Sequence, residues 1–94
     1  MRQFIIKYID FGEAKLVAKA SGISQNQITY WKKNKDSGGR YPSVLSLIYL
    51  CRGIVKIKAE KGLKLDYEKV ILEALICIEN PSFKIPQEYP LEQA

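Results

Sequence analysis

The chain has 94 residues, close to half of them hydrophobic and about a quarter charged, which excludes a disordered polar tract and fits one small folded domain. It has no histidine and two widely separated cysteines, Cys51 and Cys77, so zinc-binding spacings are excluded, and no apolar run is long enough to span a membrane. The net charge of +5 lies wholly in residues 1–40, with eight Lys/Arg against three acids, whereas residues 41–94 carry seven of each. This asymmetry suggests a polyanion-facing half and a neutral packing half; its bland alternative is a solvated basic surface.

The start, "MRQFIIKYIDFGEAK", has no signal-peptide core because Lys7 and Asp10 interrupt it, and with two buried free thiols it points to a cytoplasmic protein. Phe4, Ile5, Tyr8 and Ile9 recur at helical spacing, predicting a first helix over residues 2–10. After Gly12, Ala14, Val17, Ala18 and Ser21 form a narrow stripe of small residues on a second helix, which lets another helix come close. Gly22 ends that helix in a left-handed conformation that glycine adopts without penalty. Ser24 caps a third helix, residues 24–34, whose inward side is marked by Ile28 and Trp31. Asn26 and Lys33 point away from that side, with Thr29 and Tyr30 flanking the outward face and Gln25 and Gln27 near the first turn. "NKDSGGRYP" is a loop.

Pro42 and Ser43 open a fourth helix, with Val44, Leu47, Ile48, Cys51 and Val55 as one stripe and Leu45, Leu50 and Ile54 broadening it. The periodicity carries this helix through Gly53 towards Gly62, although "VKIKAEKGLKL" also alternates like a short β-hairpin near residues 54–65. Asp66 caps a fifth helix on which Tyr67, Val70, Ile71, Ala74, Leu75 and Ile78 make the main stripe and Leu72 and Ile76 a second side. Asn80–Pro81 ends it. The expected organisation is a single all-α, five-helix domain over residues 1–80, followed by an extended or disordered tail over 81–94.

Residues 13–34 follow the helix-turn-helix plan. Ala18 is small where the two helices touch, Gly22 takes the turn, and Ile28 locks the second helix onto the first, with Val17, Ile23 and Trp31 completing the buried set. For Trp31 the rival role is base stacking; the inward position favours packing. The stretch "EAKLVAKASGISQNQITYWKKN", followed by a loop and "YPSVLSLIYLC", resembles the Cro/lambda-repressor-type (XRE-like) helix-turn-helix family over about residues 2–55. The loop is longer than the tight glycine turn usual there, and the second half has no obvious counterpart.

The resemblance implies a small helical domain that binds operator DNA, usually as a dimer, as repressors and developmental switches of bacteria, phages and mobile elements do. The matching base-reading positions are Gln25, Asn26, Gln27 and Tyr30, with Thr29 beside them. The chemistry agrees: a side-chain amide presents donor and acceptor together, as adenine requires in the major groove. Lys32, Lys33, Lys35 and Arg40 suit phosphates better than bases, as do Ser24 at the helix tip and Lys15 and Lys19 on the second helix. Surplus apolar surface at Leu45, Leu50, Ile54, Leu72 and Ile76 suggests a homodimer interface through the fourth and fifth helices. The alternative is that both helices simply close the monomer core. The sequence therefore predicts a double-stranded DNA-binding regulator that reads a palindromic operator, with no metal, cofactor, small-molecule ligand or membrane partner. Its rival is a helix-turn-helix module that binds protein, such as an adaptor or antitoxin-like subunit. Neither a nucleophile–base pair nor a phosphate-binding glycine loop suggests an enzyme.

Overall fold

The computed structural model describes residues 1–33, 42–80 and 82–93. Its helices are α1 (Arg2–Tyr8), α2 (Ala14–Ser21), α3 (Gln25–Lys33), α4 (Val44–Glu60) and α5 (Tyr67–Glu79). The domain is thus all-α among the described residues; the β-structure is one isolated antiparallel bridge, Leu65 to Leu91.

The helix ends follow local chemistry. Gly22 takes φ 76° and donates its N–H to the Ala18 carbonyl, closing α2 in the left-handed cap that a Cβ would strain. Ser24 Oγ accepts from the Gln27 N–H at 3.1 Å and Ser43 Oγ from the Ser46 N–H at 3.1 Å, so each satisfies an otherwise orphaned donor of the following first turn. Asp66 does the same for Lys69 N–H at the start of α5.

α4 is the central rod. It buries Leu47, Leu50, Cys51, Ile54, Ile57 and the stem of Lys58, an unbroken run at i, i+3, i+4 and i+7 spacing. This run removes the hairpin alternative: residues 54–60 are helix because Ile54 and Ile57 continue the same buried face. The stripe read from sequence is right at Leu47 and Cys51 and is rotated off the buried face at its other members. Val44 is exposed and Ile48 and Val55 are only partly buried, whereas Leu50 and Ile54 are fully enclosed. Leu50 and Ile54 are therefore core residues and not interface residues. The reason is that α4 packs against α2 as well as α5, so apolar surplus that looks unpartnered in one dimension is covered within the monomer.

The α2–α4 crossing is close at one point. A Cβ built on Gly53 would lie 2.7 Å from Ser21 Cβ and 3.2 Å from Ser21 Cα. The small-residue stripe of α2 thus packs against α4 as well as α3, with Val17 fully buried and Ala18 partly so. α1 adds Phe4, Ile5 and Tyr8, and α5 adds Val70, Ala74 and Cys77.

The tail is extended and is part of the fold. The Gln3 side chain donates to the Phe83 carbonyl and accepts from the Ile85 N–H at 2.9 Å, acting as a local stand-in for a neighbouring strand. Ile85 is buried; Tyr89 Oη donates to the Lys7 carbonyl at 3.1 Å; and Asp66 N–H and Glu92 N–H pair with the Pro90 and Lys64 carbonyls. The domain therefore extends past residue 80.

Candidate nucleic-acid interface

α3 is amphipathic in the narrowest sense: Ile28 and Trp31 are buried and the rest of its first two turns are open. Gln25, Asn26 and Gln27 are all exposed, Thr29 is half-buried, and Tyr30 is exposed on the flank. Ser24, the cap, is also exposed. Its oxygen is engaged by the Gln27 N–H, and its hydroxyl proton remains able to donate outward. Lys32 and Lys33 are exposed at the end of α3, and Lys15 and Lys19 are exposed on α2. Lys35 and Arg40 lie outside the described residues.

Positioning comes from the turn before α3. Ser21 Oγ donates to the Ala18 carbonyl at 3.3 Å and accepts from the Ile23 N–H at 3.2 Å, fixing how the chain leaves α2. Ile23 is partly buried against the core and Ile28 is fully enclosed, so α3 is held by one side while its N-terminal turn projects. Trp31 is a core residue; its indole N–H has no hydrogen-bond partner among the described residues.

The local charge balance is sharper than the sequence sum. Glu13, the first acid before α2, is buried and accepts from Lys58 at 3.1 Å, from Lys61, and from the Asp10 N–H at 2.8 Å. Asp10 also accepts from Lys58 at 3.0 Å. Burial alone would push the Glu13 carboxyl up; the Lys61, Asp10 N–H and Lys58 hydrogen bonds outweigh it and hold it at about 2. Burial likewise opposes the charge of Lys58, and the hydrogen bonds it donates to Asp10 and Glu13 reverse that, raising its pKa. Both described acids of the first 40 residues are thus neutralised by lysines of the α4 end, and Lys15, Lys19, Lys32 and Lys33 face solvent with no ion pair among the described residues.

Lys7 does not belong to that basic surface. It is buried and paired with Glu73 at 2.6 Å, and Tyr8 Oη donates to the other oxygen of Glu73 at 2.5 Å. Burial, then the Glu73 hydrogen bond, pushes the Tyr8 phenol far up, so it stays a donor. Tyr89 from the tail closes the cluster, its ring 5.8 Å from that of Tyr8 and 5.7 Å from the Lys58 ammonium.

Periodicity had no way to find these ionic anchors, because each joins residues 45 or more apart in the chain. It also missed the groove beside α3, of about 600 Å³, to which α1 contributes Arg2, Ile5 and Ile6 and the residue after it Ile9. Of the five residues assigned to an interface, Leu45 and Leu72 are exposed, Ile76 is half-buried, and Leu50 and Ile54 are internal. Among the described residues no cluster of metal-ligating side chains occurs, and no helix is long and apolar enough to cross a membrane. Comparison with protein-family models, with curated proteins and with solved structures found no match.

Proposed function

We propose that this chain is a sequence-specific double-stranded DNA-binding regulator that places the N-terminal end of α3 in a major groove. The observation that carries the reading is the exposure of three consecutive amide side chains, Gln25, Asn26 and Gln27, at the projecting end of a helix held from behind by Ile28 and Trp31. Amides pair bidentately with adenine, and each such pair contributes about 1–3 kcal/mol of discrimination. Thr29 and Tyr30 extend the contact along the groove, through a hydroxyl or a thymine methyl.

Exposed lysines on both sides of these amides set the register. Lys15, Lys19, Lys32 and Lys33 neutralise phosphates, and the Ser24 hydroxyl donates to one at the helix tip. The sequence resemblance to the Cro/lambda-repressor-type family supports the same assignment, as do the αL glycine and the capped second helix. Regulation then follows from occupancy: a protein seated on an operator blocks polymerase.

A single nine-residue helix reads few base pairs. A two-fold dimer reads two half-sites about 34 Å apart on one DNA face. Leu45 and Leu72, with Tyr49 and Leu75, are exposed apolar side chains on α4 and α5 and are the surface for it. The competing reading, a protein-binding module of the same fold, is favoured by that same apolar surface. Selection of bound sequences from a random duplex pool separates them. A palindromic consensus supports the regulator and the dimer together; no enrichment at low salt rejects the DNA reading.

A further inference from the structure

We propose that the groove between α1 and α3 receives an acidic amphipathic helix of a partner protein. Two helices build its walls with matching stripes. α1 offers Arg2, Ile5 and Ile6, with Ile9 just past its end, and α3 offers Gln25, Ile28, Thr29 and Lys32; both sets are spaced i, i+3, i+4, i+7 in the chain. Phe11, fully exposed in the turn after α1, stands at the mouth, and Ile6 is half-exposed along one wall. Ile5, Ile9 and Ile28, themselves buried, back the floor from the core, so Ile6 and Phe11 are the large apolar side chains that an amphipathic helix would meet with its i and i+3/i+4 anchors.

Charge selects the occupant. The groove is rimmed by Arg2, Lys15, Lys32 and Lys33, all exposed. Among the described residues the single acid that lines it, Asp10, already accepts from Lys58. Four cations around an apolar floor complement a helix that carries leucine-like anchors on one face and carboxylates beside them. A basic helix is repelled at the same rim. Lys15, Lys32 and Lys33 also belong to the proposed DNA surface, so the partner and DNA exclude one another; that exclusion rests on the DNA reading, whereas binding in the groove does not.

The test uses the ¹⁵N-labelled full chain and two synthetic 18-residue helical peptides with the same leucine stripe, one carrying glutamates on its polar positions and the other lysines. The glutamate peptide is expected to shift amide resonances of Ile6, Phe11, Thr29 and Lys32, and to bind about tenfold more tightly than the lysine peptide at low salt. Phe11→Ala, at a fully exposed position that leaves the core intact, is expected to weaken it at least about fivefold. Lys32→Glu weakens it further, while Val44→Ala on α4, outside the groove, does not. Equal binding of both peptides, shifts confined to α4 and α5, or an unchanged affinity in Phe11→Ala overturns the proposal. So does a result in which dodecanoate fills the groove and neither peptide does. A random duplex added to the peptide complex tests the exclusion separately: failure of every duplex to bind removes the DNA reading and leaves the peptide result standing.

Discussion

Gly53→Ala is the most direct probe of how α2, and with it α3, is held on the domain. In an exposed helix this change is stabilising by about 0.8–1.0 kcal/mol, because alanine is the better helix former. Here the new methyl would sit 2.7 Å from Ser21 Cβ and 3.1 Å and 3.2 Å from Ser21 N and Cα. Carbon atoms in contact prefer about 3.5–4.0 Å, so the two helices must separate by roughly 1 Å. Two of the three close neighbours are backbone atoms, which no side-chain rotation relieves. Overpacking of this kind costs about 1–3 kcal/mol. Subtracting the propensity gain from the upper part of that range leaves a net loss of about 1–2 kcal/mol, or a Tm lower by about 5–15 °C for a domain of this size. Urea denaturation followed by far-ultraviolet circular dichroism measures it. Ser21→Gly introduced alongside removes the closest contact and leaves the backbone ones, so the double variant should show a favourable coupling of roughly 1 kcal/mol between the two sites. A Gly53→Ala protein more stable than wild type, or strictly additive double-variant energies, would refute the crossing geometry.

Other predictions test the interface and its supports. Asn26→Ala or Gln25→Ala should narrow the gap between specific and random duplex by about 1–3 kcal/mol, whereas Lys33→Ala should weaken all duplexes alike and flatten the salt dependence by about one unit of slope; competition gel shifts across a salt series measure both. Glu13 is held at about 2 against an ordinary 4.5, so its stabilisation is complete above the unfolded value and is lost as pH falls through the folded one. The stability difference between wild type and Glu13→Gln should therefore shrink between about pH 4.5 and pH 2, by on the order of 3 kcal/mol, and a difference flat across that window contradicts the buried ionic anchor. Leu50→Ala should cost about 2–5 kcal/mol in urea, while Leu72→Ala stays within about 0.5 kcal/mol and Leu72→Glu shifts the sedimentation of the protein from dimer to monomer. Truncation after Asn80 should lower stability by several kcal/mol, since it strips Ile85 from the core and Tyr89 from Lys7, and Tyr89→Phe alone by about 0.5–1.5 kcal/mol.

Local signals carry the elements of this chain. Ser24, Ser43 and Asp66 cap helices because a short polar side chain can satisfy a first-turn N–H from where the backbone places it, and Gly22 ends α2 because only a residue without Cβ takes φ near 76° freely. Such interactions span three or four residues, so the sequence alone was enough to place five helices, the glycine turn and the outward amides of α3. What covers a face is a different kind of fact. Periodicity found Leu47 and Cys51 on the inward side of α4 but not how far that side extends, because Leu50 and Ile54 look as free as Leu45 until α2 and α5 are in place. The ion pairs Lys7–Glu73 and Lys58–Glu13 are equally silent in one dimension: a lysine carries the same letter whether it faces solvent or a carboxylate many residues away. Sequence determined which residues can start, stop and line each helix; only the tertiary structure decided which charges remain free, because burial and pairing are properties of neighbours that the chain brings together from a distance.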